Sequence, residues 1–171
     1  MRIPNFQFVD TEGRATSLYD RLNGQVTLVE FWATWCPKCC AELPNIITTV
    51  RENKQASLGL PSGVAAAIPG GGPAGRGFKV LAVAVQEPPG TLPAVLAANG
   101  WQRSDFLREF DHAALSSGQD ANTQMRQMTG GTGIPANFLV TADGVIVDRN
   151  LKGAALRKAL ADMKAAGHMQ R

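Results

Sequence analysis

The apolar run Val26 to Trp32 ends four residues before Cys36 of Cys36-Pro37-Lys38-Cys39, and a helical pattern follows at once. A C-x-x-C pair at a strand-to-helix junction places its first sulfur at a helix N-terminus. Unsatisfied backbone N–H groups and the helix dipole there favour an anion, so thiolate is stabilised over thiol. The second cysteine lies one helical turn on, close enough to close a disulfide with the first. Such a pair can be attacked, form a mixed disulfide and be resolved within one site, which points to dithiol–disulfide exchange.

Two other readings compete. A C-x-x-C can be half of a zinc site, but four ligands need further Cys or His at short spacing. The remaining candidates, Cys40, His112 and His168, are isolated from one another. A purely structural disulfide is the other, yet a bridge closing so short a loop constrains the unfolded chain weakly.

At 171 residues the chain is read as a single domain, 1–171, long enough for a real core. Three cysteines are too few for a disulfide scaffold. A net charge of +3, scattered along the chain, argues for no nucleic-acid partner. No apolar run approaches the ~20 residues of a membrane span. Met1-Arg2-Ile3-Pro4 has no apolar signal core, so either the protein is cytoplasmic or a targeting segment is absent from this sequence.

Phe6 to Val9 alternates and Asp10-Thr11-Glu12-Gly13 is a turn, so an N-terminal hairpin is expected. Leu43, Ile46, Ile47 and Val50 form the buried stripe of the helix after Cys36, which Pro44 should kink. Lys79 to Val85 reads as a strand covered on both faces. A helix is expected over Thr91 to Asn99, a short strand over Phe106 to Phe110, and a helix capped by Asp120 carrying Met125 and Met128. Ala136–Thr141 and Val145–Arg149 flank Ala142-Asp143-Gly144 as a hairpin, and Leu156, Leu160 and Met163 mark a last helix. Between these elements, Gly59 to Gly77 holds seven glycines and three prolines and is read as an insertion.

Phe31-Trp32-Ala33-Thr34-Trp35-Cys36-Pro37-Lys38-Cys39 resembles the active-site segment of the thioredoxin superfamily. Ala41-Glu42-Leu43-Pro44 narrows the resemblance to TlpA/ResA-type thiol–disulfide oxidoreductases of bacterial envelopes. Downstream, Gly133-Ile134-Pro135-Ala136-Asn137-Phe138-Leu139-Val140 and Asp143-Gly144 resemble that family's cis-proline segment and hairpin. The resemblance implies a thioredoxin-like three-layer α/β/α sandwich with a mixed sheet and an N-terminal β-hairpin extension. Cys36 would be the attacking thiolate, Cys39 the buried resolving thiol. Trp35, Pro37, Lys38, Ile134 and Pro135 would meet the substrate, with Pro135 cis and facing the sulfurs. Glu30 matches the buried acid of thioredoxins and Glu42 the active-site acid of ResA-like reductases; either could relay the proton of Cys39. The plain alternatives are a solvent-facing strand residue for Glu30 and an ordinary first-turn acid for Glu42.

The resemblance further implies a reductase acting on protein disulfides or thiols, fed by an upstream thiol–disulfide protein. It implies a monomer in the periplasm or envelope, with no cofactor beyond the Cys36–Cys39 disulfide and no metal. Cys40 departs from the pattern and creates Cys36-x-x-x-Cys40, the spacing of Sco-like Cu(I) carriers. A Sco-like copper carrier is therefore the alternative function, although no histidine lies just before Pro135. A peroxidatic role is disfavoured, since Val29 and Ala33 stand where a peroxiredoxin has Pro and Thr.

Overall fold

The computed structural model describes residues 1–10, 14–22, 24–58, 78–87, 94, 110–116 and 119–169. In chain order the elements are β1 (Gln7–Asp10), β2 (Ala15–Ser17), α1 (Leu18–Leu22), β3 (Val26–Trp32), α2 (Pro37–Leu58), β4 (Phe78–Glu87), β5 (Phe110–Ser116), α3 (Gln119–Met128), β6 (Ala136–Val140), β7 (Ile146–Arg149) and α4 (Gly153–Ala165). The seven strands form one sheet in the order β2-β1-β5-β4-β3-β6-β7. The central β5-β4-β3 trio is parallel, and every other pairing is antiparallel, so the sheet is mixed as expected.

Every residue of β3 is buried, which explains its unbroken apolar character: helices cover both of its faces. Side-chain alternation divides the core in two. On one face, Leu28, Trp32, Val80, Ala82 and Leu139 pack with Cys36, Cys39, Leu43 and Ile46 of the α2 segment and Leu156, Leu160 and Met163 of α4. On the other, Val29, Phe31, Leu81, Val83, Phe138 and Val140 pack with Leu18 and Leu22 of α1, Met125 of α3, and Ile3, Phe6 and Phe8. The result is three layers, with the cysteines on the α2/α4 side.

The β6–β7 turn is held by Gly144 N–H donating to Thr141 O at 2.9 Å and Val145 N–H to Thr141 Oγ1 at 3.0 Å. Gly144 adopts φ +87°, a region where side chains are strained, and Tyr19 packs against it. The same turn anchors the start of the chain, because Ile3 N–H donates to Gly144 O and Ile146 N–H to Met1 O.

Two expectations differ from what is seen. The strand expected at Phe106–Phe110 is Phe110–Ser116, one that joins β4 and β1; residues 106–109 lie outside the described ones. Helix α3 begins at Gln119, so Asp120 sits inside its first turn rather than capping it. Pro44 lies inside α2, and Thr48 Oγ1 donates to Pro44 O at 3.0 Å. The side chains of Ile47 and Val50, nearly all of the Thr91–Asn99 helix and the whole of Gly59–Gly77 are outside the described residues.

Candidate active site

Strand β3 delivers the chain to the top of the sheet, and a tight turn then starts α2. Cys36 N–H donates to Ala33 O at 3.1 Å, and Cys40 N–H to Cys36 O at 3.1 Å opens the helical ladder. Pro37 is the first helical residue, where a missing N–H costs nothing. Cys36 and Cys39 form a disulfide with Cα atoms 5.3 Å apart. Cys39 N–H points at Cys36 Sγ from 3.3 Å, so an orphan donor of the helix start is aimed at the sulfur that would carry negative charge. Cys36 keeps 8% of its surface exposed and Cys39 none, which leaves Cys36 as the sulfur an incoming group can reach. Trp35, Pro37 and Lys38 are exposed around it.

The Ile134–Pro135 bond is cis. Ala136 pairs with Phe31, so Ile134 and Pro135 lie beside the end of β3 that leads into Cys36. Ile134 is half-buried against the apolar cluster that contains both cysteines.

Beneath this surface is a carboxylate that the packing makes conspicuous. Glu30 shares the face of Leu28 and Trp32 and is 1% exposed, so the solvent-facing alternative is excluded. Burial pushes its carboxyl up to about 8; the charge of Glu42 adds to this, while a hydrogen bond from Asn137 and the charge of Lys152 oppose it. Oε2 of Glu30 has no hydrogen-bond partner among the described residues. Glu30, Glu42, Pro135, Asn137 and Lys152 all border one small cavity of about 10 Å³, close to the room a single water needs. Asn137, opposite Glu30 in the β3–β6 ladder, also clamps the chain beyond β7: its amide donates to Leu151 O at 3.0 Å and accepts from Leu151 N–H at 2.8 Å.

The Redoxin family model matches residues 1–60. ResA, a thiol-disulfide oxidoreductase of Bacillus cereus, is 24% identical over 146 residues, covering 85% of this chain and 65% of ResA. HelX, a thiol:disulfide interchange protein of Rhodobacter capsulatus, is 25% identical over 130 residues, covering 76% of this chain and 54% of HelX. The chain thus spans less than two thirds of either relative's length. Among solved structures, the thioredoxin domain of a Bacteroides vulgatus thiol-disulfide oxidoreductase superimposes with a TM-score of 0.67 at 19% identity, covering 95% of both chains. The chain has a thioredoxin-like fold and is similar in sequence to ResA-type thiol-disulfide oxidoreductases.

Of the residues expected at the site of this thioredoxin-like chain, the structure joins Cys36 to Cys39 and brings Glu30, Glu42 and Pro135 to one cavity. Trp35, Pro37 and Lys38 lie on the loop and first turn next to Cys36. Asn137 and Lys152 are additions. Asn137 was visible in the sequence only as a polar residue opening a strand, and Lys152 only as a basic residue before a helix. The third cysteine, Cys40, is half-buried, with Sγ 3.8 and 3.7 Å from the carbonyl oxygens of Ala33 and Thr34. Among the described residues, no three His, Cys, Asp or Glu side chains are grouped as a metal site.

Proposed function

We propose that the protein is a thiol–disulfide oxidoreductase that reduces disulfides in protein substrates through Cys36 and Cys39. The observation that carries this reading is the disulfide at the start of α2, in which Cys36 keeps 8% of its surface exposed and takes a hydrogen bond from Cys39 N–H while Cys39 is fully buried. The names of its ResA and HelX relatives support it.

In the reduced protein the Cys36 thiolate attacks a substrate disulfide, forming Cys36–S–S–substrate and releasing one substrate thiolate, which takes a proton. Cys39 gives its proton to the Glu30 carboxylate and attacks Cys36 Sγ. The Cys36–Cys39 disulfide forms, the second substrate sulfur leaves as a thiolate that takes a proton from solvent, and two electrons have passed to the substrate. With the disulfide closed, Glu30 holds its proton at neutral pH. It is then the acid that protonates Cys39 when an upstream donor thiol reopens the bridge. Glu42, half-buried on the same cavity, connects Glu30 to solvent. Ile134 and Pro135 offer a backbone edge for an extended substrate, and Trp35 and Lys38 flank it. The dithiol needs no further cofactor.

The partners under this reading are proteins bearing thiols or disulfides and a donor thiol–disulfide protein, met by a monomer in the bacterial envelope. The TlpA/ResA resemblance supports that location. No helix among the described residues is long and apolar enough to cross a membrane. The test is the equilibrium between the protein and glutathione. A reductase should show a potential below about −230 mV, and a value near −120 mV would make it an oxidant instead. Insulin reduction retained by Cys36→Ser would overturn the site itself.

A further inference from the structure

A second, larger hollow of about 330 Å³ lies on the α3 side of β6 and β7, within the size range of ligand pockets. It adjoins the site: Thr132 on its rim is two residues before Ile134, and Asn150 borders both this hollow and the Glu30 cavity. Its floor is apolar, made by buried Phe138 and half-buried Met128. Its rim is polar, with Gln127, Thr132, Asn150 and Arg149. Phe138 and Arg149 face each other in the β6–β7 ladder, and the Arg149 guanidinium stands 5.8 Å from the Phe138 ring centroid.

Arg149 borders the hollow without a carboxylate partner among the described residues, whereas Arg2 is paired with Asp143 and Arg157 with Glu52. Its neighbour Asp148 pairs with Leu139 in the ladder, so alternation sends that side chain to the opposite face. Asp148 Oδ1 instead accepts the Arg149 backbone N–H at 2.8 Å. A guanidinium held near an aromatic ring by a cation–π contact keeps N–H donors available for a carboxylate. A glutamate suits this arrangement better than a bare anion, since its methylenes can lie against half-buried Met128 while its carboxylate meets the Arg149 guanidinium.

We infer that this hollow receives an acidic side chain, glutamate above all, of the polypeptide undergoing exchange, and that Arg149 reads its charge. The inference rests on the proposed oxidoreductase reading and names the substrate class that reading leaves open. An extended chain laid along Ile134 would carry side chains past Thr132 into the hollow while its cysteine meets Cys36.

The test uses short peptides, each holding one cysteine as a glutathione mixed disulfide, with a single Glu moved through five positions on either side. Each has a Gln twin. At one position the Glu peptide should be reduced roughly 5-fold faster than its twin by kcat/KM, the size expected of an exposed ion pair, and high salt should erode the ratio. The ratio should fall to one in Arg149→Gln and survive in Arg149→Lys. In Arg149→Glu a Lys peptide should be preferred. Because each ratio is taken within one protein, partial misfolding of a variant cancels. No preference at any position, or one that survives Arg149→Gln, overturns the inference. If the wild type reduces neither these peptides nor bis(2-hydroxyethyl) disulfide, the oxidoreductase reading fails. Affinities of the S-methylated peptides then decide the docking site alone: tighter Glu binding lost in Arg149→Gln supports it, and equal binding overturns it.

Discussion

Replacing Glu30 by Gln tests the buried acid through stability rather than turnover. Gln keeps the shape of the side chain and can still bond Asn137, but it does not titrate. Below pH 4.5 the Glu30 carboxyl is protonated in folded and unfolded chains alike and adds no pH dependence. Above that, the unfolded chain releases the proton while the folded one retains it up to about pH 8. The unfolded state then binds fewer protons, so stability falls with pH by roughly 1.4 kcal/mol per unit and levels off above pH 8. Over the interval from 4.5 to about 8 the loss is on the order of 5 kcal/mol, a large share of a domain's usual ~5–15. The other ionisable groups, including Asp143, whose carboxyl is held low by its bond from Thr141, are common to both proteins and cancel in the difference. Urea unfolding of the oxidised proteins from pH 4.5 to 9 measures it. Glu30→Gln should gain on the wild type steadily from pH 5 to 8. Parallel curves over that range would show that Glu30 ionises normally in the fold, and the proton-holding role given to it would be lost.

Cys39→Ser should accumulate a Cys36 mixed disulfide with substrate, visible as a non-reducing gel shift; full turnover in that variant would mean that Cys40 resolves it. Asn137→Ala leaves the buried Leu151 N–H and C=O without their partners, at a cost of about 1–3 kcal/mol for each group. It also removes the bond that holds Glu30 down, so the pH range over which the wild-type side chain loses stability should extend upward. Gly144→Ala places a Cβ 2.8 Å from Tyr19 Oη at φ +87°, and Tyr19 Oη donates to Ile3 O at 2.7 Å. A loss of roughly 1–3 kcal/mol is expected, read by calorimetry at about 2–4 °C in Tm per kcal/mol; an unchanged Tm would mean that the turn relaxes freely.

The parts legible in the sequence are those decided by local chemistry: the strand before Cys36, the helix after it, the proline at the head of β6 and the Asp143-Gly144 turn. Strand β5 was misplaced because Phe-Asp-His-Ala-Ala-Leu-Ser has neither alternation nor a β-branched residue. Its extended state comes from β4 on one side and β1 on the other, and a window of sequence contains neither. Glu30 reads in sequence as either a solvent-facing or a buried acid, although its alternation partners Leu28 and Trp32 are both apolar and argue for the interior. Asn137 and Lys152 gain their meaning from Glu30, more than a hundred positions away, through a register that only the assembled sheet displays.

The strand order has a consequence for the time at which the cysteines become protected. Strand β3 sits between β4 and β6, and β6 follows Cys39 by about a hundred residues. At a synthesis rate of ~5–20 residues per second, the ribosome releases all three sulfurs roughly 5–20 s before the Ile134–Pro135 segment exists to lie beside them. The local geometry of α2 pairs Cys36 with Cys39, but their cover arrives only with the last fifth of the chain, so a chain truncated before β6 should have its reduced cysteines alkylated faster than the finished protein.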